Sequence, residues 1–467
     1  MMKKGKKIIA LLMATTMAFS MAACGSSNKD TTTTDATTTD ATTDAATDTA
    51  TDAAATDSTA DAATSADGKT VITFSWWGGD SRHEATLAAV DKFMELNPDI
   101  EVKTNYGSWD GWEEKQATGF STGTGSDVTQ INWNWLTSFS SDGSVFADLN
   151  EYKDIIDLTQ FDQSKLDLCT VAGKLQAIPT SMTGRIFYWN KTTFEKAGIE
   201  VPTSLAELMA AGETFKTVLG DEYYPISLGE YDRMVLMIYY LESVYGKPWV
   251  ENGELQYSQT EVEDGLKFIQ SLEDAHVTPS IETILGDGAD TLDKNPKWMG
   301  GIYAGIFEWD SSASKFSSAL NEGQEFVVGN YFKDMGEYQG GFSKVSMAFA
   351  VSESAANKEA CAKLINFLLN DEEGVKIMAS ERGIPLSKAG LQICTDNNLL
   401  NATVAEANGK VLSWTQFALD PTFEDAKLKN NPDGVYFDVF GGLSYGEYDI
   451  ATAASTLIDG VNTALGN

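Results

Sequence analysis

The sequence predicts an α/β fold. Three observations lead there. A short β-rich run, Val71-Ile72-Thr73-Phe74-Ser75-Trp76, opens the folded part. A segment of helical period follows it, and then a second, alternating strand. Strand, helix and strand in that order form a βαβ unit, which implies a largely parallel sheet. Residues 69–467 are enough for two compact domains, because a single core stops growing at about 250–300 residues. No internal repeat of fixed period is visible, which argues against solenoids and propellers.

Ahead of the fold, Lys3, Lys4, Lys6 and Lys7 precede an apolar run over 8–19, and Met21-Ala22-Ala23 lead to Cys24. A basic start, a short apolar segment and small residues before a cut read as a secretory signal over 1–23, too short for a permanent membrane span. The cysteine directly after Ala22-Ala23 resembles the bacterial lipobox, whose cysteine is lipidated and becomes the mature N-terminus. That resemblance implies a protein held by a lipid anchor at Cys24 on the extracellular face of the cell membrane. Residues 25–68 are almost wholly Thr, Ala, Asp and Ser, with nine acidic residues against Lys29. Such a stretch cannot bury enough apolar surface to offset its ordering entropy, so 24–68 reads as a disordered leash. It would reach on the order of 40 Å on average.

Within the fold, Gly78-Gly79-Asp80 predicts a sharp turn. Ser81 with Glu84 reads as a capping box, opening a helix whose apolar face is Leu87, Val90, Phe93 and Met94. Asn97-Pro98 stops it, and Ile100, Val102, Thr104 and Tyr106 alternate as the second strand. Later, Arg185-Ile186-Phe187-Tyr188-Trp189 reads as a strand. Capping boxes are expected at Thr192 with Glu195, Ser204 with Glu207, and Ser258 with Glu261. The last opens a helix with Val262, Leu266, Ile269 and Leu272 inward, and residues 358–369 form another with Leu364, Ile365 and Leu368 inward.

Charge excludes two partner classes. Residues 69–467 hold 28 basic and 59 acidic residues, a net charge of −31. That argues against nucleic acid, which is bound by neutralising phosphates, and against an anionic membrane surface. Charge of this size favours a soluble monomer. Besides Cys24 there are Cys169, Cys361 and Cys394, too few for a disulfide framework, although a Cys361–Cys394 bridge stays open. No Cys/His cluster suggests zinc. Asp287, Asp290 and Asp293 suggest a calcium loop without meeting the EF-hand spacing, so no metal and no cofactor is expected.

The eleven tryptophans carry the functional reading. Many lie beside glycine, amide or carboxylate residues, as in Trp76-Trp77-Gly78-Gly79, Gly107-Ser108-Trp109-Asp110-Gly111-Trp112, Asn132-Trp133-Asn134-Trp135 and Glu308-Trp309-Asp310. An indole face suits the apolar C–H face of a pyranose, whose hydroxyls then point outward to hydrogen-bonding groups. A stacked face of ~50 Å² is worth roughly 1 kcal/mol per ring at about 25 cal/mol per Å². The turn carrying Asp80 and Arg82 lies after a strand and before a helix, where open α/β sheets bind ligands. Either residue could hydrogen-bond hydroxyls, or the two could pair and order the turn.

At this point the chain resembles a known family, the substrate-binding lipoproteins of bacterial ABC importers that bind oligosaccharides and include maltose-binding protein. The resemblance rests on Trp76-Trp77-Gly78-Gly79 before a helix ending Asn97-Pro98-Asp99-Ile100-Glu101-Val102. Ile178-Pro179, Phe187-Tyr188-Trp189-Asn190-Lys191 and Phe194-Glu195-Lys196-Ala197-Gly198-Ile199 extend it. Lys363-Leu364-Ile365-Asn366-Phe367-Leu368-Leu369 and Gly383-Ile384-Pro385 complete it. It implies an α/β, two-lobed, periplasmic-binding-protein-like fold of type II, with hinge crossovers around a ligand cleft. The implied lobes are 69–178 plus about 346–395, and 180–343 plus about 398–467. Trp77, Asp80, Arg82, Trp109, Asn132 and Trp135 would face the cleft from the first lobe. Arg185, Trp309 and Trp414 would face it from the second lobe or the crossover. The implied function is capture of a neutral oligosaccharide and its delivery to ABC permease subunits, without catalysis. A secreted glycoside hydrolase using Glu308 and Asp310, and a carrier of a non-sugar solute, are the alternatives. An anionic ligand would ask for an Arg/Lys-lined cleft.

Overall fold

The computed structural model describes Thr64 and residues 68–466, apart from Asp110 and Asp290. The signal segment, Cys24 and nearly all of the leash lie outside the described residues. Among the described residues no helix is long and apolar enough to cross a membrane.

The βαβ opening is present. Strand Thr70–Trp77 runs parallel to Ile100–Gly107 and to Val128–Ile131, with helix Asp80–Leu96 between the first two. The first sheet has the order 417–418, 342–351, 128–131, 70–77, 100–107, and strand Ala177–Thr183 also pairs with 342–351. Ile72, Phe74 and Trp76 are buried in its core, facing the same side by the twofold period of a strand. The helix does not begin at a Ser81 cap. Gly79 occupies the N-cap, Ser81 lies inside the first turn, and its hydroxyl donates to Glu381 at 2.9 Å. The glycine turn bends the chain two residues earlier than the capping pattern implied.

The second sheet has Arg185–Asn190 at its centre, antiparallel to Gly305–Trp309 and Phe326–Val328. Helices Glu230–Tyr245, Gln259–Asp274, Val435–Ser444 and Ile450–Leu465 pack on one another beside it. Ser258 and Glu261 close the expected reciprocal cap, and Ser204 caps helix Leu205–Val218. Thr192 does not cap. Asn190 precedes helix Lys191–Ala197, and the Thr192 hydroxyl instead accepts from the Glu325 N–H at 2.9 Å.

Three passages join the sheets. Gly184 alone separates strand 177–183 of the first sheet from strand 185–190 of the second. Strand Phe342–Val351 returns, its far end pairing with 128–131 and its near end with Thr183 and Phe417. Its register against 177–183 shifts on both sides of Met347, a bulge next to Ser346, whose hydroxyl bonds that of Ser181. Helices Lys358–Asn370, Glu372–Met378 and Lys388–Asp396 pack against one another beside the first sheet, whereas helix Ala402–Trp414 packs on 310–312, 313–318 and 326–328.

One sequence alternative closes here. Cys169, Cys361 and Cys394 are buried free thiols, so Cys361 and Cys394 form no bridge. Of the suspected calcium loop, Asp290 lies outside the described residues, and the other two carboxylates are engaged. Asp287 takes Tyr303 at 2.5 Å, Asn295 at 3.0 Å and the Lys297 ammonium at 2.6 Å, and Asp293 pairs with Lys315 at 2.8 Å.

The first passage leaves no room for a side chain. A Cβ on Gly184 would lie 2.6 Å from Val411 Cγ1 and 2.9 Å from the Phe342 carbonyl oxygen. Gly184→Ala is therefore expected to lower unfolding stability by about 1–3 kcal/mol in urea titration; unchanged stability would show that the crossing can widen.

Candidate functional site

The first wall forms where parallel strands end. Trp77 is the last residue of strand 70–77, Trp109 lies in the turn after strand 100–107, and Trp135 starts helix Trp135–Ser140 after strand 128–131. Their rings meet as one cluster, with Trp77–Trp109 centroids 5.1 Å apart, Trp77–Trp135 5.5 Å and Trp109–Trp135 6.2 Å. Trp109 is 39% exposed and Trp77 half-buried, but Trp135 is 0% exposed. Trp135 thus backs the other two instead of presenting a face of its own. Asn132 is buried, and its side-chain oxygen accepts from the Trp133 N–H at 3.1 Å.

Asp80 and Arg82 do not form an ordered pair. Asp80 is exposed at the first helical residue. Arg82 donates to the Glu381 carbonyl at 2.9 Å and to the Trp77 carbonyl at 3.3 Å, so it positions the backbone that carries Trp77. Burial lowers its pKa to about 10 against the pull of Glu381.

The opposite wall is built by the second sheet. Register places Trp309, the last residue of strand 305–309, across from Arg185, the first of strand 185–190. The Arg185 guanidinium lies 5.0 Å from the Trp309 ring centroid and 5.2 Å from that of Tyr231. It is paired to Asp232 and, at 3.7 Å, to Glu308. Burial opposes its charge, but these carboxylates outweigh that and keep it protonated. Burial pushes the Glu308 carboxyl up, and Arg185 works against the shift.

Between the walls runs a charged bridge that the sequence did not reveal. Glu424, 3% exposed, takes Lys344 on one carboxylate oxygen and Lys429 on the other at 2.7 Å. Lys344 stands over the Trp309 ring at 4.6 Å, and Lys429 over the Trp109 ring at 5.8 Å. Tyr231 Oη reaches Glu424 at 3.2 Å, and the Asn134 amide donates to the Glu424 carbonyl at 3.2 Å. Burial disfavours a charged Glu424, yet the two ammonium groups hold its carboxyl well below the usual range. Lys429 is raised, since Glu424 overcomes the cost of burial; Lys344 is lowered by burial. Lys344 alone had a local signal: it is the one charged residue in strand Phe342–Val351, and a buried lysine needs a partner. Its partner lies 80 residues away.

Two further expectations resolve differently. Asp310 is buried and accepts from Thr183, from Asn408 at 2.5 Å and from the Ser311 N–H at 2.8 Å, so a glycosidic bond has no access to it. Trp414 stacks on Tyr331 at 5.3 Å and 14°, lining a separate groove with Lys333, Asp334 and Lys410. That groove shares no lining residue with the Trp309 and Trp109 walls.

A family model described as bacterial extracellular solute-binding protein matches residues 79–375. A periplasmic oligogalacturonide binding protein from Yersinia enterocolitica, solved in complex with saturated digalacturonic acid, is 33% identical; the match covers 85% of this chain and 98% of that one, with a TM-score of 0.79. A periplasmic solute binding protein from Pectobacterium atrosepticum is 33% identical over the same shares, with a TM-score of 0.80. An ABC substrate-binding protein from Listeria monocytogenes, in complex with cycloalternan, is similar in fold at 20% identity, covering 85% of this chain and 99% of that one, with a TM-score of 0.69.

Asp310 gives this region a pH signature. Burial raises its pKa from 3.8 to about 6, against the donors that favour its charge. A raised folded pKa means that the native state holds the proton longer than the unfolded chain, so this contribution to stability falls as pH climbs from about 4 to above 6. Comparing denaturation of the parent with Asp310→Asn, we expect the parent to lose on the order of 2–3 kcal/mol relative to the variant over that window. A constant difference would show that Asp310 titrates normally.

Proposed function

The chain belongs to the bacterial extracellular solute-binding proteins, and from that premise we propose that it is the carbohydrate-capturing component of an ABC importer. One observation carries the reading: the partly exposed rings of Trp109 and Trp309, with Trp77 beside the first, border one charged, hydrogen-bonding site reached from both sheets. Aromatic platforms with fixed polar groups between them suit a sugar's apolar face and its ring-edge hydroxyls. The sugars held by the Yersinia and Listeria relatives support the same class of ligand. Two lobes joined by three passages would close on the ligand by hinge bending, and the closed form would be what the permease subunits accept. The sugar would leave unaltered, because Asp310 is enclosed and Glu308 serves Arg185. Cys24 would carry the lipid anchor, with the acidic leash giving the lobes reach from the membrane.

Calorimetry against a panel of oligosaccharides tests the reading. Binding of at least one is expected, weakened at least tenfold by Trp309→Ala or Trp109→Ala, about 1.4 kcal/mol or more. An unaffected Kd in both variants would place the ligand elsewhere, and turnover of a labelled oligosaccharide would favour a hydrolase. Cys24→Ser is expected to shift the protein from the membrane fraction to the soluble one; retention at the membrane would dispose of the anchor.

A further inference from the structure

One buried charge beside the first sheet lacks a counter-ion. Arg382 is 6% exposed, and its guanidinium lies 5.2 Å from the Phe349 ring centroid. Its Nε donates to the Gln130 side-chain oxygen at 2.8 Å and its Nη1 to the Met378 sulfur at 3.8 Å. Its Nη2 is buried and has no hydrogen-bond partner among the described residues. Neither Arg382 nor Arg82 has a carboxylate within 4.0 Å among those residues. The carboxylate that acts on both is Glu381, which is partly exposed and accepts the Ser81 hydroxyl at 2.9 Å. Asp80 acts on the neighbouring His83, but it is exposed to solvent, which screens it. Two guanidinium groups therefore share one carboxylate that pairs with neither. Burial and Arg82 both oppose the charge on Arg382, against the pull of Glu381. Arginine nonetheless keeps its proton in proteins, and a buried ion without a partner is costly.

Arg382 lines a cavity of about 30 Å³ with Thr180, Phe349, Val375 and Met378. One water takes about 10–15 Å³ on this measure, so there is room for an ion larger than water. No carboxylate and no second cation lines it. The Thr180 hydroxyl is committed to the Met347 carbonyl at 2.9 Å, and that of Ser387, also in the lining, to Asn370 at 2.6 Å. We propose that this cavity is a halide site, in which chloride accepts from Arg382 Nη2 and neutralises the guanidinium. Water in the same place would meet the hydrogen bond and leave the charge uncompensated. A divalent oxoanion does not fit the charge count, because its second charge would find no cation in the lining. The site does not depend on the carbohydrate reading, but it adjoins that geometry. Gln130, held by Arg382, donates its amide to the Trp77 carbonyl at 3.2 Å, so the ion would steady the arginine that helps to fix one ring platform.

The test is urea denaturation of the purified chain, with chloride exchanged for gluconate, a far larger anion, at constant ionic strength. An ion bound by the native state alone stabilises with the logarithm of its concentration above its Kd. Each tenfold rise in chloride is then expected to raise the folded-to-unfolded ratio about tenfold. Bromide should act likewise, and Arg382→Met should abolish the dependence. Crystals grown in sodium bromide should show an anomalous-scattering peak beside Arg382 Nη2. Equal stability in chloride and gluconate, or a chloride dependence that survives Arg382→Met, overturns the proposal. So does a water at Nη2 with no anomalous signal. A bromide peak without any effect in solution would mean an adventitious ion only, and overturns it as well. The comparison of the two salts on the parent decides the matter even if Arg382→Met does not fold.

Discussion

Glu424 is the group on which the arrangement of the site depends. Its carboxylate joins Lys344, on the returning strand, to Lys429, on the short helix Ala426–Lys429, and its backbone carbonyl is held by Asn134 after the first sheet's third strand. Three segments distant in sequence thus meet at one residue. Burying three charges is costly unless each is paired with good geometry, since an isolated ion loses several kcal/mol of hydration. The pairing here is shared, two cations on one anion. Removing Glu424 would leave two buried ammonium groups facing each other, which is why the positions of Trp109 and Trp309 are coupled through it.

A second buried carboxylate, Asp310, organises the crossings in a different way. It accepts from Thr183, the last residue before Gly184, and from Asn408 on the helix that follows the third passage. Hydrogen bonds from neutral donors hold it, so burial dominates and its proton is retained to higher pH. Glu424 and Asp310 are both acidic and both enclosed. The sign of their shifts differs because one has cations for neighbours and the other does not.

Local signals were legible in the sequence wherever structure is decided over a few residues. The strand at Val71 to Trp76 and the helix capped by Ser258 and Glu261 follow from period and capping chemistry. Local reading failed where tertiary contacts competed for the same side chain. Ser81 was drawn to Glu381, 300 residues away, and Thr192 to the Glu325 N–H. The candidate site shows the same division. Trp77, Trp109, Trp309 and Arg185 announce themselves by ring chemistry or strand position. Trp135 belongs to the same cluster, but nothing in its neighbours reveals that Trp77, Trp109, Phe120 and Phe139 surround it. Glu424 and Lys429 are ordinary residues in sequence, and only the fold brings them to Lys344.

The bulge beside Ser346 has a mechanical consequence. A regular antiparallel ladder resists flexing because each bend strains successive hydrogen bonds. Where strand 342–351 slips its register against 177–183, that ladder is already interrupted. Bending at this point would break few additional bonds, so opening would be opposed mainly by torsional stiffness, and the aperture between the lobes could breathe without local melting. The flexure lies two residues from Lys344, so each swing of the lobes would bear on the ion pair that joins that lysine to Glu424.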